Sequence, residues 1–171
     1  MTLGVGGLAG YALAVEPEQR RERLDPADLG TGLGSAAALY LLFVIGDRLA
    51  RRIMPAGGRE IGDVYALRRV APRPAIATAL ALVIGPGEEL FWRGLVQRNL
   101  QRRWGRRRGW LLTSGAYGAI HLVSQNLTLT GAATTAGLFW GGLYAWRPRL
   151  APLVISHAAW DVFIFLVAPT G

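Results

Sequence analysis

Only two histidines occur in this chain, His121 and His157, and both lie inside apolar stretches. Beyond Asp63 only three carboxylates remain, Glu88, Glu89 and Asp161, and these too lie inside apolar stretches rather than in the connectors between them. Acids placed for solubility would be distributed the other way round. A charge at the centre of a membrane helix costs about 2.5–3.5 kcal/mol on insertion scales, so ionisable groups there are functional candidates by default. Their spacing adds a constraint. Glu89 and Arg93 stand four residues apart, as do Tyr117 and His121, and His157 and Asp161. On a helix, residues four apart lie one turn above each other on the same face. Three segments therefore each present a polar pair, and the simplest arrangement is convergence on one interior cavity.

Hydrolysis of an amide needs two roles filled. One group must take a proton from water, and another must hold the charge that develops on the carbonyl oxygen. A glutamate withdrawn from bulk water is a better base than one in solution, and a histidine beside it can hold the same water. A second histidine, oriented by an aspartate one turn along, can donate to the oxyanion. Glu88 and His121 suit the first role, and His157 and Asp161 the second, with Glu89 and Arg93 positioning the helix so that Glu88 faces inward. Zinc is the rival assignment, with Glu88, His121, His157 and Asp161 as its ligands. The H-E-x-x-H helix signature is absent and so is cysteine, and four ligands would leave no open position. The expectation is a site without a cofactor, zinc being the alternative. Serine catalysis is weaker, because Ser114, Ser124 and Ser156 show no G-x-S-x-G elbow. Each pair also has a structural reading: a packing salt bridge for Glu89–Arg93, and for the others interhelical hydrogen bonds worth roughly 0.6 kcal/mol each.

Stepping from residues to elements, about half the chain is apolar (51%) and its mean hydropathy is +0.28. Charge is gathered into short clusters between long uncharged runs, as in a polytopic membrane protein. All nineteen basic residues are arginine. With a net charge of +8 this could suggest nucleic acid, but arginines flanking apolar spans are better explained as membrane anchors, and no nucleic-acid partner is expected. Six apolar runs stand out: Thr2–Val15, then 29–46, 75–95, 110–124, 127–146 and 150–168. The first is shorter than the ~20 residues of a spanning helix and lacks the features of a signal peptide, which suggests a truncated or misplaced start. The run 75–95 has arginines on both flanks, so it is expected either to break or re-enter near Gly85-Pro86-Gly87, or to hold one flank on the unfavoured side. Basic connectors place 98–109 and 147–149 inside the cell and 124–126 outside. The expected fold is all-α, a polytopic transmembrane helical bundle of about five to six membrane segments with the site enclosed between helices. It divides into N-terminal segments with a basic connector (1–74) and a core (75–168).

"EELFWR" (88–93), "YGAIH" (117–121) and "HAAWD" (157–161) also resemble, in order, the three motifs of the CPBP intramembrane proteases. These include the type II CAAX prenyl endopeptidases, the Abi proteins and the lysostaphin-resistance-like proteins. Tyr117 stands where that family has phenylalanine, and Asp161 takes the aspartate form of the third motif. The resemblance covers roughly 75–167 and implies an integral membrane endopeptidase, CAAX-protease-like, cleaving peptide bonds at or within the membrane. It implies Glu88 and His121 on the water, and His157 and Asp161 on the oxyanion, although the family is often called metalloprotease. Expected partners are the lipid bilayer and a membrane-associated or lipidated peptide or protein, and the expected location is the cell (plasma) membrane. The competing expectations are a catalytically inactive scaffold or immunity-type protein of the same fold, and a proton-coupled transporter.

Overall fold

Prolines and glycines set where the helices start and stop. The computed structural model describes residues 2–53 and 57–170. Among these residues there are seven helices and no strand: α1 (Thr2–Val15), α2 (Pro26–Ile53), α3 (Gly57–Ala66), α4 (Arg73–Trp104), α5 (Arg106–Ile120), α6 (Leu127–Trp146) and α7 (Ala151–Val167). Pro26, Pro74 and Pro152 stand in the first turns of α2, α4 and α7, where a missing N–H leaves no helical bond unmade. Gly105, with φ of +83°, is the single residue between α4 and α5. That left-handed backbone is open to glycine at little cost and lets the chain reverse at once. Asn126 caps α6, its side chain accepting from the Leu129 N–H at 2.7 Å.

The run 75–95 does not break. It is the centre of α4, which continues for 32 residues through Gly85-Pro86-Gly87. In a regular α turn Pro86 would clash with the carbonyl four residues back and leave it without a donor. The chain meets this with a π turn over Leu80–Ile84, where the Gly85 N–H reaches the Leu80 carbonyl five residues back. A second π stretch covers Leu90–Gln97. At 1.5 Å per residue α4 is about 48 Å long, more than a ~30 Å hydrocarbon core, which is long enough for its two arginine flanks to stand on opposite sides of one. Both flanks are bonded into the fold. Arg73 donates to the Leu166 carbonyl at 2.5 Å, at the C-terminal end of α7, and Arg98 and Arg102 pair with Glu18 and Glu16.

Among the described residues two helices, Pro26–Leu49 within α2 and α4 itself, are long and apolar enough to cross a membrane by composition and length. This is fewer than the five to six segments expected. The apolar helices α1 and α7 are short, at 14 and 17 residues. α5 and α6 are interrupted by serine, threonine and glycine, of which Ser114, Gly118, Gly137 and Gly141 lie at contacts between helices.

α1 lies beside α4 and runs the same way, with Val5 against Gly87 and Glu16 against Arg102. α2 packs on α7, and α5 on both α4 and α6. The main core gathers Leu39, Ala136, Trp140, Tyr144, Leu150 and Leu153, and a smaller cluster joins Trp92, Tyr117 and Ala133. Close approach depends on Gly85, where a Cβ would stand 3.1 Å from the Ala158 main-chain nitrogen on α7. The connectors fall at two ends of the bundle. One end joins 16–28, 98–108 and 147–150 through Arg102–Glu16 and Arg149–Asp28. The other joins α3, 121–126 and 168–170 through Glu60–Thr128 and Tyr65–Thr170.

Candidate active site

The middle of α4, between its two π stretches, carries Glu88 and Glu89, and successive residues on a helix point about 100° apart. The two carboxylates accordingly enter different groups of partners. Glu88 faces α5, where the Tyr117 hydroxyl donates to its Oε2 at 2.5 Å. Glu89 faces α7 and is fully buried, with Oε1 accepting from Arg93 Nη1 at 2.9 Å and lying 2.7 Å from His157 Nδ1. Arg93, also buried, extends to the Gly137 carbonyl of α6 at 3.5 Å, and its guanidinium lies over the Tyr117 and Trp140 rings.

His121 closes α5 where the helix tightens into a 3-10 turn. Its Nδ1 lies 2.8 Å from the Tyr117 carbonyl. A carbonyl only accepts, so Nδ1 carries the proton and Nε2 of the neutral ring keeps its lone pair. His157 sits on α7 with its ring stacked on Trp140, centroids 3.8 Å apart and planes inclined by 23°. Asp161, one turn along, brings Oδ2 to 3.6 Å from Nε2. That is too long for a direct hydrogen bond. The ring is therefore fixed by Glu89 through Nδ1 and by Trp140 through its face. The expected His157–Asp161 pair is thus a near approach at 3.6 Å, and Glu89, expected to position the helix with Arg93, also contacts His157.

The three pairs expected from spacing thus form two adjoining strings that start from neighbouring residues of α4. One runs Glu88–Tyr117–His121 and the other Arg93–Glu89–His157–Asp161. Glu88, His121 and Asp161 keep partial exposure, whereas Glu89, Arg93 and His157 are buried. Among the described residues no three histidine, aspartate or glutamate side chains are grouped to hold a metal ion. Glu89 and Asp161 sit at opposite nitrogens of one imidazole, so their lone pairs are directed at the ring and not at a common point. The alternative zinc set Glu88, His121, His157 and Asp161 is not gathered into such a group.

Some contributors carry no signature of their own in the sequence. Trp140 reads as a core aromatic, yet it stacks on His157 and its Nε1 donates to Ser156 Oγ at 3.0 Å. Ser156, bonded also by Ser35 at 2.9 Å, is engaged in joining α2, α6 and α7. Gln97 lies outside the three expected pairs, although it is the next step of the four-residue series Glu89, Arg93. It donates to the Gly141 carbonyl at 2.7 Å and ties α4 to α6.

A family model described as type II CAAX prenyl endopeptidase Rce1-like matches residues 71–163. No curated protein and no solved structure matches the chain. The matched segment takes in all of α4, α5 and α6 and the part of α7 that carries His157 and Asp161.

Proposed function

Since the chain belongs to the type II CAAX prenyl endopeptidase Rce1-like family, an integral membrane protease family, we propose that it is an intramembrane endopeptidase whose reaction is run by Glu88, His121, His157 and Asp161. The observation that carries this reading is the junction of the two polar strings at Glu88 and Glu89, which links α4, α5 and α7 through ionisable side chains inside an apolar bundle. A purely structural salt bridge would need Glu89 and Arg93 alone.

In the proposed reaction a water lies between Glu88 and the free Nε2 of His121. Glu88 takes its proton as the oxygen attacks the peptide carbonyl carbon, and His121 orients the lone pair. The carbonyl oxygen becomes an oxyanion and accepts from His157 Nε2–H. This requires the imidazolium, whose charge is offset by Glu89 at Nδ1 and Asp161 near Nε2. Collapse of the tetrahedral intermediate expels the amine, which receives the proton held by Glu88. The substrate class is a membrane-associated or lipidated peptide, because the site lies between helices whose outer faces are apolar and a lipid chain can stay in the bilayer. The location proposed is the cell membrane.

The test uses the purified full chain and a lipidated C-terminal peptide, with cleavage followed by mass spectrometry. Glu88→Ala and His121→Ala should each abolish cleavage without removing the protein from the membrane fraction. Wild-type activity should survive a strong chelator. Turnover retained by either variant defeats the assignment, and loss of turnover on chelation that zinc restores defeats the metal-free form of it.

A further inference from the structure

Resting on that reading, we infer that Tyr117 is a positioning residue for both groups that act on water, holding Glu88 through its hydroxyl and His121 through its main-chain carbonyl. The two bonds, at 2.5 Å and 2.8 Å, come from one residue of α5. The ring itself is already held by carbon contacts. It meets Trp92 edge-on with centroids 5.4 Å apart and His121 at 5.1 Å, and Arg93 covers its face at 5.0 Å. Gly137 on α6 makes room for it, since a Cβ there would stand 3.0 Å from Tyr117 Cδ1. None of these contacts needs the hydroxyl. Yet Tyr117 is only 5% exposed, and a phenol O–H placed there must have a partner.

Its partner is a single carboxylate oxygen, Oε2 of Glu88. A short bond between a hydroxyl and a carboxylate is the charge-assisted kind and fixes the rotation of the carboxyl group. With Oε2 occupied, Oε1 is the oxygen left to take the proton of a water. The hold on His121 is different in kind, because it belongs to the backbone and survives any change of side chain at 117. This separation makes the hydroxyl testable by itself. Tyr117 is also the place where the sequence departs from the phenylalanine of the resembling motif.

The variant is Tyr117→Phe in the purified full-length protein, which keeps the ring and removes one oxygen. The expected result is a fall in kcat of about ten- to a hundredfold with little change in KM, because a hydrogen bond to a charged group is lost and peptide binding is not. The thermal midpoint should stay near that of the wild type. An infrared readout needs no turnover: the carboxylate band of Glu88, isolated as the difference between wild type and Glu88→Gln, should shift in Tyr117→Phe. An unmoved band overturns the inference, whether or not any peptide is cleaved, and so does a wild-type kcat. A shifted band in a protein that cleaves no lipidated peptide keeps the Tyr117–Glu88 bond and removes the protease reading instead.

Discussion

Glu89 and His157 share one hydrogen bond but not one role, and substitutions should separate them. Glu89 carries the countercharge of Arg93, and both side chains are buried, at 0% and 1% exposure. Removing one partner of a buried ion pair leaves an uncompensated charge and costs about 3–5 kcal/mol. His157→Ala removes a ring and its stacking on Trp140 but strands no permanent cation. We expect Glu89→Ala to lower the unfolding midpoint in detergent far more than His157→Ala, with His157→Ala folded and inactive. Equal losses of stability in the two variants would show that Arg93 does not depend on Glu89. The adjacent glutamates were legible as two jobs from the four-residue step to Arg93. That Glu89 also grips His157 was not, because 68 residues separate them and nothing local relates α4 to α7.

At the scale of elements, one residue, Glu60, ties α3 to the start of α6 through its side chain and its main-chain carbonyl. The Thr128 hydroxyl and N–H donate to Glu60 Oε2 at 2.6 and 2.8 Å, and Asn126 donates to the Glu60 carbonyl at 2.9 Å. The Thr128 side chain first, and its main chain second, hold the Glu60 carboxyl below its ordinary pKa. A lowered folded value means that the unfolded chain binds the proton more tightly. The stability gained is then whole above the ordinary carboxylate value of about 4.3 and is lost as the pH falls through the folded value. Glu60→Gln should therefore melt below the wild type at neutral pH, and the two should converge once the pH has fallen below the folded value. A gap between the melting points that persists in acid would place the interaction in the neutral hydrogen bonds instead. The continuity of α4 belongs to this scale as well. Gly85-Pro86-Gly87 reads as a break by local propensity, but the π turn before it and the packing of Gly85 on α7 carry the helix through.

For the whole molecule, the two ends of the bundle differ in charge. Eleven arginines lie in the segments that meet at the end holding 16–28, 98–108 and 147–150, and seven lie from the last turns of α2 to the start of α4 at the other. Arginine excess marks the cytoplasmic side, so the first end is expected inside. The chain has no native cysteine, which makes single introduced thiols clean reporters. Arg107→Cys should be labelled by an impermeant maleimide only after the membrane is opened, whereas Val123→Cys, at 88% exposure, should be labelled in intact cells. Labelling of both from the same side would contradict the two-ended arrangement. The acids at the first end are not spare charges: Glu16, Glu18 and Asp28 pair with arginines of α4 and of the turn before α7.

The sequence by itself determined the helical class, the family and which side chains to suspect. These are local properties: hydropathy over a run, four-residue spacing on one helix face, and scarce ionisable groups where lipid makes them expensive. Only the tertiary structure decided who meets whom. It gave Tyr117 to Glu88, Glu89 to His157 and Trp140 to the face of that ring, and it left Asp161 at 3.6 Å from the nitrogen it was expected to orient. Pairings between helices depend on crossing geometry and on where small residues let backbones approach. A periodicity on one helix holds no information about the rotation of its neighbour.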